Sequence, residues 1–169
     1  KAGVDQLSRQ TAELMNAKDP DIAVFPHRLA FNVVPEVGEF EGAHSHLERE
    51  MLIQLARLWS GDELPAVTTT ALLAPFYHRL SLVVSLHTKR AMTNESVRSL
   101  LSKSPGLKLL DDPSAHVYPM PQLTVDDPAV HVGRIRVHGE RVQLVAACDS
   151  ATRIAETAVT STIALARRA

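Results

Sequence analysis

Residues 130–148 read Val-His-Val-Gly-Arg-Ile-Arg-Val-His-Gly-Glu-Arg-Val-Gln-Leu-Val-Ala-Ala-Cys. Two β-rich runs, Val130 to His138 and Arg141 to Cys148, flank Gly139-Glu140. A Gly-X pair between two such runs signals a tight type II′ turn, because glycine takes the positive φ of the first central position without a steric penalty. The stretch therefore predicts an antiparallel hairpin. A second run, Arg79 to His87, alternates. Leu80, Leu82, Val84 and Leu86 fall on one face; Arg79, Ser81, Ser85 and His87 fall on the other. That period of two describes a strand buried on one side. A hairpin and a half-polar strand together argue against a doubly wound parallel sheet, whose strands are apolar on both faces.

The rest of the chain supplies helices for such a sheet. Val4 to Ala17 places Val4, Leu7, Leu14 and Met15 near one helical stripe. Ser45-His46-Leu47-Glu48 has the pattern of a capping box, in which the Ser hydroxyl takes an orphan amide and the Glu reaches back to the cap amide. Behind it Leu47, Met51, Leu55, Leu58 and Trp59 recur at helical spacing and are expected to pack in a core. Thr93 or Asn94 caps a short helix to about Lys103. Asp149 or Ser150 caps a final Ala-rich helix to about Arg168, whose terminal arginines suit the helix dipole. Arg28 to Val34 and Val67 to Leu73 read as further strands, closed by Pro35 and Pro75, and Leu107 to Leu110 as a short one. Asp111 to Pro128, with Pro113, Pro119, Pro121 and Pro128, reads as a long surface loop. The expected fold is α+β: a mostly antiparallel or mixed sheet of about six strands with helices on one face.

Composition excludes several function classes. The 169 residues hold 18 Lys+Arg against 19 Asp+Glu, a formal net charge of −1. So balanced a chain has no basic field for a phosphate backbone. Aromatic residues are only 4%, too few for a base-stacking platform. Neither nucleic acid nor membrane is expected as a partner, since no apolar run approaches the roughly 18 residues of a membrane span. One cysteine permits no internal disulfide and fits a reducing, cytoplasmic setting. The chain opens at Lys1-Ala2-Gly3 without an initiator Met or a signal-peptide pattern, and is expected to be a fragment of a larger protein.

Local chemistry is sparse. No two of the seven glycines are separated by one residue, so there is no dinucleotide fingerprint. His44 and His46 are candidate metal ligands on an extended segment, but no partner motif supports them and no metal is expected. Cys148 is a candidate nucleophile, yet it ends an apolar strand and precedes Asp149, which would raise a thiol pKa; a buried small hydrophobe is the plainer reading. The polar face of Arg79–His87 reads either as a solvated face or as a wet subunit interface or cleft wall.

Three strings in order then resemble one family. Leu29-Ala30-Phe31-Asn32-Val33-Val34-Pro35, Tyr118-Pro119-Met120-Pro121 and Val132-Gly133-Arg134-Ile135-Arg136 resemble segments of the aspartate-semialdehyde dehydrogenases of amino-acid biosynthesis. Over roughly residues 3–160 the chain resembles their C-terminal half, the dimerisation domain, with a fold similar to the C-terminal domain of glyceraldehyde-3-phosphate dehydrogenases. The resemblance implies a homodimer, here through the sheet face. It implies an absent N-terminal Rossmann domain that binds NADP, carries the nucleophilic Cys and packs on the final helix. No cofactor is then expected within this chain, with NADP left to the full-length protein.

The family's site motifs are altered at the matched positions. The helix normally opens Thr-x-Glu-Glu-x-Lys; here Ser45 stands at the Thr, Leu47 and Glu48 at the two Glu, and Glu50 at the Lys. A carboxylate in place of an anion-binding cation reverses the local sign, a repulsion of several kcal/mol. Alignment on Pro75 and Ser81 puts Leu73 at the Arg that forks a substrate carboxylate and Leu80 at the His that serves as general base. His78 lies two residues away, on the same face of a strand, as a candidate substitute. Near the nicotinamide, Asp149-Ser150 keeps the Asp and loses the Asn of the family's Asp-Asn-Leu, and Ile154 stands where a Gly is usual. The pattern resembles the Usg-type paralogues, which lack the catalytic set. The expected function is a dimerisation domain without semialdehyde dehydrogenase activity. The alternative is a domain of an active NADP-dependent oxidoreductase for a more apolar aldehyde, in a site lined by Leu73 and Leu80.

Overall fold

A computed structural model describes residues 1–59, 65–77 and 79–150. The chain divides into two units, Lys1–Tyr77 and His78–Ala169.

The first unit begins with α1 (Ala2–Met15), whose buried face carries Leu7 together with Gln6 and Gln10. Both glutamines act as backbone partners. Gln10 Oε1 accepts the amides of Leu29 (3.0 Å) and Ala30 (3.2 Å), and Gln10 Nε2 donates to the Asp21 carbonyl at 2.9 Å. Gln6 Oε1 accepts the Val24 amide. Leu7, Leu29, Ala30 and Val34 form the unit's buried apolar cluster, with Leu73 packed against it. The expected strand over 28–34 is absent. Its amides bond to the Gln10 side chain, Phe31 turns to φ +55°, and Asn32 bonds locally to the Arg28 carbonyl and the Val33 amide. Only the isolated antiparallel bridge Val34–Leu73 remains of this strand and of the one expected over 67–73.

A two-residue pair, β1 (Phe40–Glu41) and β2 (His44–Ser45), then leads directly into α2 (His46–Leu58). Of all α2 residues only Glu48 is buried. The stripe expected as core is therefore corrected: Leu47, Met51 and Trp59 are exposed and Leu58 is 80% exposed. Periodicity made the helix amphipathic, but it carries no information about what covers the apolar side.

The second unit is the hairpin and its neighbours. β5 (Val130–His138) and β6 (Arg141–Asp149) pair antiparallel around Gly139, which has φ +62°, while Glu140 keeps a negative φ, as a type II′ turn requires. β3 (Arg79–His87) runs antiparallel along the other edge of β6, and the short β4 (Leu107–Leu109) runs parallel to β5, giving the order β3-β6-β5-β4. Among the described residues the six strands are thus split into sheets of four and two, smaller than the single sheet of about six that was expected but of the expected mixed α+β class. α3 (Asn94–Lys103), capped by Thr93 in a box with Ser96, lays Val97 and Leu101 on one face of the sheet. There they meet Val132, Ile135, Val142, Leu144 and Ala146, with Leu82 and Val84 of β3 half-buried beside them. The final helix expected after Ser150 lies outside the described residues.

Between Gly133 and Arg136 two residues of β5 stand opposite one of β6, a bulge, with Arg134 at φ +54°. A Cβ on Gly133 would stand 1.9 Å from the Leu110 carbonyl oxygen and 2.9 Å from Pro119 Cδ. Neither neighbour is a flexible side-chain end. Gly133→Ala is therefore expected to destabilise the protein by about 3 kcal/mol, the upper part of the overpacking range. Urea unfolding should show the loss as a lower midpoint, while Gly42→Ala, in open space but at φ +66°, costs only the backbone strain of about 1 kcal/mol.

Candidate functional site

The first-unit positions that the sequence singled out gather around the start of α2. Ser45 is buried and caps the helix: its Oγ accepts the Glu48 amide and its own amide donates to Glu48 Oε2 at 2.8 Å. The other carboxylate oxygen, Oε1, accepts the Ala71 amide at 2.7 Å. Glu48 thus ties the start of α2 to the segment carrying Leu73. These backbone donors, Ala71 before Ser45, hold its carboxyl below the ordinary glutamate range, with His44 adding a weaker charge contribution.

Leu47 and Glu50 occupy the same first turns, Leu47 exposed and Glu50 half-buried. Leu73 is committed elsewhere: it bridges Val34 and packs against the apolar cluster of its unit. A shallow cleft beside the helix start is lined by Gly38, Glu39, Glu41 and His46. Its two carboxylates, with Arg49 already ion-paired to Glu41, make it a poor seat for an anion. His44 approaches Glu48 at 3.9 Å. Among the described residues no group of three or more His, Cys, Asp or Glu side chains is placed to hold a metal ion.

Leu80, Cys148, Asp149 and Ser150 belong to the second unit. Leu80 faces Cys148 across β3–β6 and Arg79 faces Asp149. Leu80 is 43% exposed, whereas Cys148 and Asp149 are buried. Ser150 begins a helical turn whose continuation lies outside the described residues, and so does His78.

The opposite face of the hairpin holds a polar cluster that residue spacing did not reveal. His131 is 1% exposed and its Nε2 lies 2.8 Å from Asp127 Oδ2; Lys108 Nζ reaches the same oxygen at 3.0 Å. The Ala129 amide donates to Asp127 Oδ1. The hydrogen bond with His131, then the Ala129 amide, then Lys108 hold the Asp127 carboxyl far below the carboxylate range. Nearby, Asp111 pairs with Arg98 at 2.7 Å and accepts the Ile135 amide at the bulge, and the Arg134 guanidinium lies 5.6 Å from the Tyr118 ring centre. The only sequence signal was Asp127 four residues before an inward-pointing histidine. These groups fasten the 111–128 loop to the sheet.

Comparison with known proteins places these features in a family. A family model described as semialdehyde dehydrogenase, dimerisation domain, matches residues 1–151. The chain is 31% identical over 135 residues to an aspartate-semialdehyde dehydrogenase of Aquifex aeolicus, covering 79% of this chain and 39% of that protein. It is 33% identical over 112 residues to a USG-1 protein homolog of Azotobacter vinelandii, covering 66% and 33%. Among solved structures it is similar to a probable aspartate-semialdehyde dehydrogenase from Pseudomonas aeruginosa, with TM-score 0.76, 28% identity and coverage of 88% and 45%. The chain spans about two fifths of the length of the curated relatives it matches.

Four carboxylates, Glu48, Glu95, Asp112 and Asp127, are held below their ordinary ranges by hydrogen bonds, Asp127 furthest, and set a pH dependence. A group whose folded pKa lies below its unfolded value stabilises the fold fully above the unfolded value, about 4, and loses that contribution as pH falls. Urea midpoints should therefore fall between pH 7 and pH 3. Asp127→Asn should lower the midpoint at pH 7 and flatten the acid dependence. A variant as acid-sensitive as the parent would show that Asp127 does not carry it.

Proposed function

This chain belongs to the semialdehyde dehydrogenase family, as its dimerisation domain, and we propose that it serves subunit assembly in a Usg-type protein without aspartate-semialdehyde dehydrogenase activity. The observation that carries the reading is the fate of the substrate positions. Leu73, at the place of the carboxylate-binding Arg, is packed on the apolar cluster of its unit. Glu50 stands at the place of the phosphate-binding Lys, one helical turn beyond His46, which lines a cleft with Glu39 and Glu41. Leu80 stands at the place of the general base and has no proton to exchange. Leucine forms no fork to a carboxylate, and carboxylates repel a second anion.

The assembly is a homodimer through the exposed sheet surface that β3 carries. Ser81, Val83 and Ser85 on its polar face are all exposed, Val83 at 77%. In the whole protein an N-terminal Rossmann domain packs on the final helix, and any NADP binding resides there, in a cytoplasmic setting. Asp149 and Ser150 keep only the first residue of the nicotinamide-side motif, so this chain adds little to cofactor binding.

The tests address assembly and chemistry separately. Sedimentation equilibrium should give a dimer, and a monomer at tens of micromolar protein would end the assembly reading. The full-length protein should form no NADPH from aspartate semialdehyde, NADP and phosphate. Turnover with that substrate would overturn the inactive reading, and turnover only with apolar aldehydes would favour the alternative oxidoreductase.

A further inference from the structure

We propose that His131 and Asp127 form an acid-released latch: a proton taken up at His131 Nδ1 frees residues 121–127, the far end of the 111–128 loop, from the sheet.

The latch closes around a neutral imidazole. His131 is buried and its Nε2 lies 2.8 Å from Asp127 Oδ2. An ionised carboxylate only accepts, so Nε2 carries the hydrogen and donates it. Nδ1 is then an acceptor. It is shut off from solvent and has no hydrogen-bond partner among the described residues. The same atom carrying a proton would be a buried donor with nothing to bond. That costs more than a bare acceptor does, because the donor belongs to a charged ring.

The neighbours decide what a second positive charge would meet. Lys108 stands beside His131 in the β4–β5 register, and its Nζ reaches the same Asp127 oxygen at 3.0 Å. Asp127 Oδ1 accepts the Ala129 amide at 2.9 Å. The carboxylate is thus already matched by one cation and bonded at both oxygens. A charged His131 would set a like charge beside Lys108. From β6 the residue opposite is Ala147; Asp149, two places on along the same face, stands opposite Arg79. From the loop, Thr124 is buried but donates its hydroxyl to the Pro121 carbonyl, and Asp126 is exposed. α3 covers the other face of β5, with Arg98 paired to Asp111.

Release has a defined extent. The root of the loop is fastened independently: Asp112 bridges Val117, Pro119 lies against Gly133, and Tyr118 lies under Arg134. Beyond it the short 3-10 turn Pro121–Thr124 lies along β6 and β3, and the Asp127 side chain ties the far end to β4 and β5. Opening this end exposes both ring nitrogens to water, so the open form takes up the proton more readily. By linkage, opening gains as pH falls below about 6.5, where a solvated histidine charges, by at most about tenfold per pH unit for one proton.

Amide hydrogen exchange of the full-length protein between about pH 7.5 and pH 5 tests this, read as protection relative to the unstructured chain at each pH. The window stays above the range in which ordinary carboxylates protonate. The Leu123, Asp127 and Ala129 amides are hydrogen-bonded within the closed loop. Their protection should fall by up to about tenfold per pH unit below pH 6.5, while the β3 and β6 amides keep theirs. His131→Gln, whose amide still donates to Asp127 but takes up no proton, should hold the loop closed across the range. Lys108→Met, which leaves the carboxylate to His131 alone, should move release to lower pH. Protection in the parent that stays flat or rises on acidification would mean that a charged His131 tightens on Asp127, overturning the latch. A fall in His131→Gln equal to the parent's would place the proton elsewhere and overturn it too. If His131→Gln does not fold, Lys108→Met decides: release at lower pH supports the latch, and release at an unchanged pH overturns it.

Discussion

At Gly133 the Leu110 carbonyl oxygen lies where a side chain would otherwise begin, and the second unit is organised by that contact. The Leu110 amide donates to the Val132 carbonyl, so the chain leaving β4 is held flat against β5 before it turns away. The strand yields to this approach by bulging: Arg134 takes a left-handed conformation and the register with β6 shifts. Asp111 fixes the same place from the other side, bonded to the Ile135 amide and paired with Arg98 of α3. One backbone contact thus positions the sheet, the helix beneath it and the root of the long loop. Asp127, His131 and Lys108 secure that loop further along.

How much of this was legible follows from the range of each interaction. The β5–β6 hairpin, the Ser45 capping box and the cap of α3 depend on residues within a few positions of one another; the first two were read from the sequence, while the cap of α3 was left between Thr93 and Asn94 and its box with Ser96 was not seen. The Ser45 box was visible in full, but the bond from Glu48 to the Ala71 amide was not. A carboxylate that caps a helix looks the same in sequence whether or not its second oxygen reaches 23 residues ahead. The failed strands have the same origin. Leu29 and Ala30 have strand-like side chains, yet their amides bond to Gln10, a polar residue on the buried side of α1. β propensity describes fit to a pleated surface and is overruled when another group takes the backbone donors first.

The site positions divide along similar lines. Their identities, Leu47, Glu50, Leu73 and Leu80, could be read only against the family's motifs. What each side chain does needed the structure: Leu73 packs, Glu50 lies one helical turn beyond the His46 of an acidic cleft, and Leu80 is half exposed on β3, the end strand of the sheet among the described residues. Glu48, aligned with a family acid, serves the helix cap and the neighbouring segment, so its retention says nothing about chemistry.

That distinction also explains which strings made the family recognisable. Val132-Gly133-Arg134-Ile135-Arg136 contains the glycine with no room for a β-carbon and the bulge residue beside it. Tyr118-Pro119-Met120-Pro121 supplies the ring under Arg134 and the proline against Gly133. Leu29-Ala30-Phe31-Asn32 supplies the amides held by Gln10 and a turn with positive φ at Phe31. Each string sits where main-chain geometry restricts the choice of residue. The positions matched to the family's site motifs are side-chain sites on α2, on the segment bridging Val34 and on β3, where the backbone would be unchanged by another residue. On the proposed reading, a chain released from anion binding and proton transfer changes there first and keeps the close approaches that hold its sheet together.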